Sequence, residues 1–123
     1  MSERHPFSTR KGAAFRLSIL SRDHWLCQMC GCLLTEGRTH PRAAVVDHLI
    51  PVALRPDLAY DPANCRAVCK ADHDGACQSI ERRHWPDAEV IARDKRAFSG
   101  HGHDHTGRPR DPSHPWNGGS ATR

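Results

Sequence analysis

Residues 45–52 read VVDHLIPV and place an aspartate beside a histidine within a short run of β-branched and other apolar residues. Such a run, closed by Pro51, predicts a β-strand. An ionisable pair inside an apolar strand is uncommon unless both side chains have a partner or a function. Because adjacent strand residues point to opposite faces, a bend or twist must let Asp47 and His48 serve one cleft. We therefore expect a strand and a candidate reactive site at the same place.

Two cysteines upstream of this stretch are spaced as a metal knuckle requires. Cys27 and Cys30 form a CxxC pair followed by a glycine, a spacing that lets two sulfurs bind one zinc ion. A second pair must come from elsewhere in the chain, and Cys69 is the strongest candidate. These three cysteines predict a structural zinc site rather than a disulfide framework.

The cysteine spacing does not identify the fourth zinc ligand. A second CxxC would end at position 72, but that residue is Asp72. Aspartate can bind zinc through oxygen, and we take Asp72 as the predicted ligand, with Cys77 as the alternative because it supplies sulfur. A three-ligand or empty site is a further alternative. Cys32 is a weaker candidate for this ligand, because it crowds the first knuckle. We expect Cys32 and Cys65 to be buried as small apolar residues instead.

Length and composition limit the fold to one small domain. The chain has 123 residues and a net charge of +4, which suits a polyanionic partner without requiring one. A core this small would gain from a structural metal. No apolar run approaches the roughly 18 residues of a membrane span, and the polar residues 1–11 do not resemble a signal peptide. We therefore expect a cytoplasmic protein with reduced cysteines and no membrane partner.

Apolar periodicity predicts the remaining elements. Residues 9–21 and 70–83 carry apolar side chains at helical spacing, and residues 86–89 are typical of the start of another helix. Residues 51–63 contain three prolines and predict a long functional loop. We assign a flexible arm to residues 1–8, the domain to residues 9–99, and an extended or partly disordered tail to residues 100–123.

The order of these motifs resembles the HNH nuclease family. The resemblance extends over about residues 15–83 and rests on the CxxC pair, the Asp-His pair, an asparagine before the next segment, and a cysteine with a histidine four positions later: Cys27, Cys30, Asp47, His48, Asn64, Cys69 and His73. Residues 104–117 are also similar to the ending of phage HNH proteins, which are often encoded beside packaging genes.

The resemblance implies an α+β fold with a small ββα-metal (His-Me finger) core, a zinc knuckle, flanking helices and an extended C-terminal tail. His48 would be the general base, since its near-neutral pKa suits proton transfer at physiological pH. Asn64 would fix the hairpin by hydrogen bonds to the loop backbone. Asp47 and His73 would hold Mg²⁺, or Mn²⁺ or Ni²⁺; alternatively His73 would join Cys69 on zinc.

The implied function is metal-dependent hydrolysis of phosphodiester bonds in double-stranded DNA, with phage terminase or portal proteins as candidate partners. Basic residues are expected to contact phosphates without reading sequence, or to pair locally with acidic residues. The strongest candidates are Arg10, Lys11, Arg16, Arg82 and Arg83, followed by Arg93, Lys95 and Arg96. The alternative is a non-catalytic zinc-ribbon module that binds nucleic acid or protein. We expect a monomer or weak oligomer.

Overall fold

The computed structural model describes residues 9–98, so the predictions for the arm at 1–8 and the tail at 100–123 lie outside the described residues. The described chain is a small α+β arrangement, as the sequence predicts. It consists of two strands, β1 (Ala44–His48) and β2 (Cys65–Cys69), a first helix α1 (Arg10–Arg22), a second helix α2 over residues 70–84, and a third helix α3 (Ala88–Ala97).

The two strands form an antiparallel hairpin around the Asp-His pair. The register places Asp47 opposite Arg66 and His48 opposite Cys65. The strand predicted around the Asp-His pair is therefore confirmed, over Ala44–His48. The connection contains two short 3₁₀ turns, Pro56–Leu58 and Pro62–Asn64, so the predicted long loop has local structure of its own.

Helix α2 follows β2 directly. It begins as Lys70–Asp72, passes through a π-helical turn at His73–Cys77, and ends as Gln78–His84. The Cys69 sulfur caps its first turn by accepting from the Asp72 backbone N–H. Strand and helix are thus joined without a loop, which completes a ββα unit from residues 44–84.

The other two helices pack around this unit. In α1 the Thr9 hydroxyl accepts from the Gly12 N–H as an N-cap, and Ile19 and Leu20 enter the core. In α3 the Asp87 carboxylate caps the first turn through the Val90 N–H. Both helices match the sequence prediction. Within residues 9–98, no helix has the length and apolar character needed to span a membrane.

Candidate functional site

Four cysteine sulfurs lie close together beneath the hairpin. The sulfurs of Cys27, Cys30, Cys32 and Cys69 all lie within 4.8 Å of one another, and their residues are buried. The Cys30 and Cys69 sulfurs are 3.9 Å apart. Four thiolates placed tetrahedrally at 2.3 Å from zinc would be about 3.8 Å apart. The chemistry and spacing of this donor set therefore fit a structural zinc ion.

A chain reversal at Gly31 brings Cys32 into the cluster. Gly31 has φ of 83°, a left-handed conformation that glycine adopts without strain. Its N–H donates to the Cys27 carbonyl at 2.8 Å, and the Cys27 N–H donates to the Cys32 carbonyl at 2.8 Å. Cys32 is buried as expected, but it is a member of the thiol cluster rather than an isolated apolar residue. The Cys-Gly-Cys sequence was the available signal.

The two residues predicted as fourth ligand lie beside the cluster and outside it. Asp72 Oδ2 is 3.4 Å from the Cys27 sulfur, and burial, aided by the negative charge of Cys27, raises the pKa of Asp72 to about 6. The Cys77 sulfur instead lies 3.4 Å from the Met29 sulfur, and burial raises its pKa. The structure thus places Cys32, rather than Asp72 or Cys77, with the other three thiols.

Several hydrogen bonds converge on the sulfur of Cys27. The Cys27 sulfur accepts from the N–H groups of Met29, Cys30 and Cys69 at 3.4, 3.5 and 3.3 Å. Hydrogen bonds from the thiols of Cys30, Cys32 and Cys69 lower the pKa of Cys27 well below its ordinary range. The same contacts raise the pKa of Cys30 and of Cys69, so without a cation the cluster holds a single thiolate, at Cys27. Because zinc binds the thiolate form, metal binding would release the protons of the other thiols.

His48 lies at the end of β1 and is anchored by the hairpin loop. Its Nε2 is 2.9 Å from the carbonyl oxygen of Ala59. Because a carbonyl oxygen only accepts, Nε2 carries the hydrogen of this bond. In the neutral imidazole, Nδ1 is then the basic nitrogen. The loop therefore fixes both the orientation of the ring and the tautomer that a general base requires.

Asn64 closes the same loop through its side-chain amide. Its Oδ1 accepts from the Ile50 N–H at 2.9 Å, and its Nδ2 donates to the Ile50 carbonyl at 3.1 Å. The Asn64 carbonyl also accepts from the Leu49 N–H at 2.8 Å. These are backbone hydrogen bonds of the kind that the family resemblance implies for Asn64, and they hold the segment that follows His48.

Asp47 is buried within a charged cluster. Its Oδ1 accepts from the Lys95 ammonium at 3.0 Å, while its Oδ2 lies 3.6 Å from Arg66 Nε, too far for a good hydrogen bond. The same ammonium donates to the His48 carbonyl and to Glu81 Oε2, both at 2.7 Å. Lys95 is fully buried, so the prediction that it contacts phosphate is wrong. A divalent ion does not fit Asp47 in this arrangement, because cations face both of its oxygens.

His73 lies on the π-helical turn of α2 and is half-buried. It lines a cleft of about 650 Å³ with Glu81, Arg82 and Trp85, and a second of about 580 Å³ with basic residues including Arg16. His48 lines neither cleft. In the described part of the chain, the four thiols are the only group of three or more candidate metal ligands, so Asp47, His48 and His73 are not gathered around one point.

The residues predicted to contact phosphate differ in their exposure and in their contacts within the protein. Arg10, Lys11, Arg82 and Arg83 are exposed, and the Lys11 ammonium lies 5.2 Å from the centre of the Tyr60 ring. Arg16 is partly buried, and its guanidinium donates to the Ala44 carbonyl at 2.9 Å. This bond ties Arg16 to the start of β1, beside the cleft that it lines.

Comparison with known families agrees with this geometry. Residues 27–76 match the family model described as HNH endonuclease. The matched segment contains the knuckle, the hairpin and the first turns of α2, while α1 and α3 lie outside it. The match supports an HNH domain of the nuclease class, and HNH domains bind nucleic acid. Neither a curated protein nor a solved structure matches the chain.

Proposed function

We propose that this protein is an HNH endonuclease that hydrolyses phosphodiester bonds of double-stranded DNA at the β-hairpin. The observation that carries the proposal is the hydrogen bond between His48 Nε2 and the Ala59 carbonyl. It leaves Nδ1 as the basic nitrogen of a ring whose position is fixed at the end of β1. The family match of residues 27–76 supports the assignment independently of this geometry.

The proposed reaction is addition of water to a phosphodiester. His48 takes a proton from the water, whose oxygen forms a bond to phosphorus. The bond from phosphorus to the 3′ oxygen breaks, and that oxygen takes a proton from solvent. The products are a 5′-phosphate and a 3′-hydroxyl end. Asn64 contributes by holding the backbone of Ile50, so the strand end that carries His48 keeps its direction.

Binding of DNA is proposed to rest on phosphate contacts. Arg82 and Arg83 on α2 and Arg10 and Lys11 on α1 are exposed cations, and Arg16 lines a cleft next to His73. Such contacts hold a duplex without reading its sequence. We therefore expect low sequence specificity from the described domain.

The proposal includes a structural zinc ion and a catalytic divalent ion, and the residues present fit the first better than the second. The thiols of Cys27, Cys30, Cys32 and Cys69 fit a structural zinc ion. A divalent ion such as Mg²⁺, Mn²⁺ or Ni²⁺, when bound, would stabilise negative charge on the phosphate. His73 is a candidate ligand for it, but Asp47 does not fit that role while Lys95 and Arg66 face its carboxylate. No step above depends on that ion.

Association with a phage terminase or portal protein, in the cytoplasm of a bacterial host, is the finer part of the proposal. It rests on the similarity of residues 104–117 to the ending of phage HNH proteins. A second candidate function is a non-catalytic zinc module that binds nucleic acid or protein. The neutralisation of Asp47 by Lys95 favours this second candidate, because it occupies a predicted metal ligand.

A plasmid-nicking experiment distinguishes the two functions. Supercoiled plasmid is incubated with the full chain and with Mg²⁺, Mn²⁺ or Ni²⁺, and the variants His48→Ala and His40→Ala are compared. His40 is an exposed loop histidine and serves as the matched control. Nicking by the wild type and by His40→Ala, but not by His48→Ala, supports the nuclease. DNA binding without nicking under any metal supports the non-catalytic module.

A further inference from the structure

Lys95 occupies a position that is unusual for a lysine. Its side chain is 0% exposed, and Asp47 beside it is 2% exposed. Lysine is almost never fully buried unless it is paired, because removing an ammonium group from water is costly. Lys95 also lies on α3, beyond the segment that matches the HNH family, so nothing in that match assigns it a role.

The ammonium group of Lys95 is coordinated as a bound cation would be. Its three N–H donors meet three oxygens: Asp47 Oδ1 at 3.0 Å, the His48 carbonyl at 2.7 Å and Glu81 Oε2 at 2.7 Å. Two of these oxygens belong to β1 and the third to α2. Lys95 thus joins the strand that carries the proposed base to the helix that carries His73.

This arrangement conflicts with a divalent ion at Asp47. Such an ion would lie about 2.0–2.1 Å from a carboxylate oxygen if it were Mg²⁺. The Lys95 nitrogen already lies 3.0 Å from Oδ1, and Arg66 Nε lies 3.6 Å from Oδ2. An ion on either oxygen would therefore meet a positive charge at close range in a buried site, where repulsion is weakly screened.

We propose that the Lys95 ammonium is a resident cation of the hairpin, which neutralises Asp47 and excludes divalent ions from it while α3 is docked. Lys95 also donates to the main-chain carbonyl of His48 at 2.7 Å. The proposal rests on the proposed function only in treating Asp47 as a candidate metal ligand. Whether the hairpin binds a divalent ion then depends on α3, which lies outside the segment that matches the HNH family model.

The test is a titration of the full chain with Mn²⁺ alone, without DNA, with free Mn²⁺ followed by its electron paramagnetic resonance signal. Mn²⁺ prefers oxygen ligands and competes poorly for thiolates. The variants are Asp47→Asn, Lys95→Met, the corresponding double variant, and Arg96→Met. Arg96 is exposed on the same helix, so its substitution removes an equal charge without opening the hairpin.

The proposal predicts that Asp47→Asn leaves Mn²⁺ binding of the wild type unchanged. Lys95→Met gains a site that binds Mn²⁺ at least about tenfold more tightly, the double variant loses that site, and Arg96→Met gains none. Loss of a wild-type site in Asp47→Asn overturns the proposal, as does a folded Lys95→Met variant without a new site. If Lys95→Met does not fold, the comparison of Mn²⁺ binding by the wild type and by Asp47→Asn tests the proposal on its own. Because the titration contains no DNA, its outcome does not depend on whether the protein cleaves DNA. The plasmid-nicking experiment tests cleavage separately.

Discussion

The thiol cluster and the charged cluster around Lys95 lie on the same small domain, but they are assembled in opposite ways. Three of the four thiols come from six consecutive residues, 27–32, whose chain reversal at Gly31 brings them together locally. The charged cluster joins Asp47 on β1 to Lys95 on α3, which lies 48 residues later in the chain. Glu81 on α2 also contacts the Lys95 ammonium. The first region is built by a short motif and the second only by tertiary packing.

The difference also concerns what each region would do with a metal ion. The thiol cluster presents four soft donors, one of which, Cys27, is held as the thiolate by hydrogen bonds, and it fits zinc. The charged cluster contains two carboxylates but already has its own cations, Lys95 and Arg66. An aspartate beside a histidine in the sequence is therefore a poor guide to metal binding when a lysine from another helix pairs with that aspartate.

Loss of Cys32 should have the greatest consequence, because it removes one of the four thiols. Cys32→Ala should lose bound zinc on dialysis and cost more than about 5 kcal/mol, because the binding free energy of a structural zinc ion is also folding free energy. The melting temperature should then fall by at least about 20 °C in a domain of this size. Asp72→Asn should keep its zinc, because Asp72 lies beside the four thiols. Metal analysis and thermal unfolding measure both, with Cys77→Ala as a buried-cysteine control. Retention of zinc by Cys32→Ala together with its loss from Asp72→Asn would restore Asp72 as the fourth ligand.

The next effect concerns the charged cluster. Lys95→Met leaves Asp47 and Glu81 without their shared cation, and breaking a buried ion pair in this way typically costs about 3–5 kcal/mol. The double variant with Asp47→Asn should recover part of that loss, because the two substitutions are coupled. Urea unfolding gives the free energies, and Arg96→Met should change stability by less than about 0.5 kcal/mol. Equal losses in Lys95→Met and Arg96→Met would show that the buried ammonium contributes little.

A smaller effect is expected at the loop that separates the two strands. Asn64→Ala leaves the N–H and carbonyl of Ile50 without their partners and should lower the free energy of unfolding by about 1–3 kcal/mol. Gln28→Ala is the control, since its exposed amide also bonds a backbone carbonyl, that of Leu26 at 2.9 Å. If the two variants are equally stable, Asn64 does not fix the loop.

The smallest effect concerns DNA binding at the surface of α2. Arg82→Ala should weaken binding to a duplex a few-fold and reduce the slope of log K against log salt by about 0.9, the value for one phosphate contact. Arg55→Ala is the matched control, because that exposed arginine is paired with Asp57 at 2.8 Å. Fluorescence anisotropy at several salt concentrations gives both slopes, and identical slopes would remove Arg82 from the interface.

Local signals in the sequence predict most of the fold. The helical periodicity of residues 9–21 and 70–83 and the β-branched run around Asp47 correspond to α1, α2 and β1. The hydrogen bonds of Asn64 agree with what the family resemblance implies for it. These features depend on neighbours within one element or one loop, which a sequence pattern can show.

The remaining features depend on backbone conformation and on distant contacts. Membership of Cys32 in the cluster depends on the left-handed φ of Gly31, which spacing alone does not reveal. The burial of Lys95 depends on how α3 packs against α2 and on partners that lie on β1 and α2. An exposed helical lysine and a buried one have the same local sequence signal, so Lys95 was expected on the surface.

Single-turnover cleavage of an end-labelled duplex by the wild type and by His48→Ala tests whether His48 is the general base. If His48 is the general base, the substitution lowers the rate by about 10²- to 10⁴-fold while duplex affinity and melting temperature stay near the wild-type values. Cleavage by a folded His48→Ala variant at the wild-type rate would contradict the account.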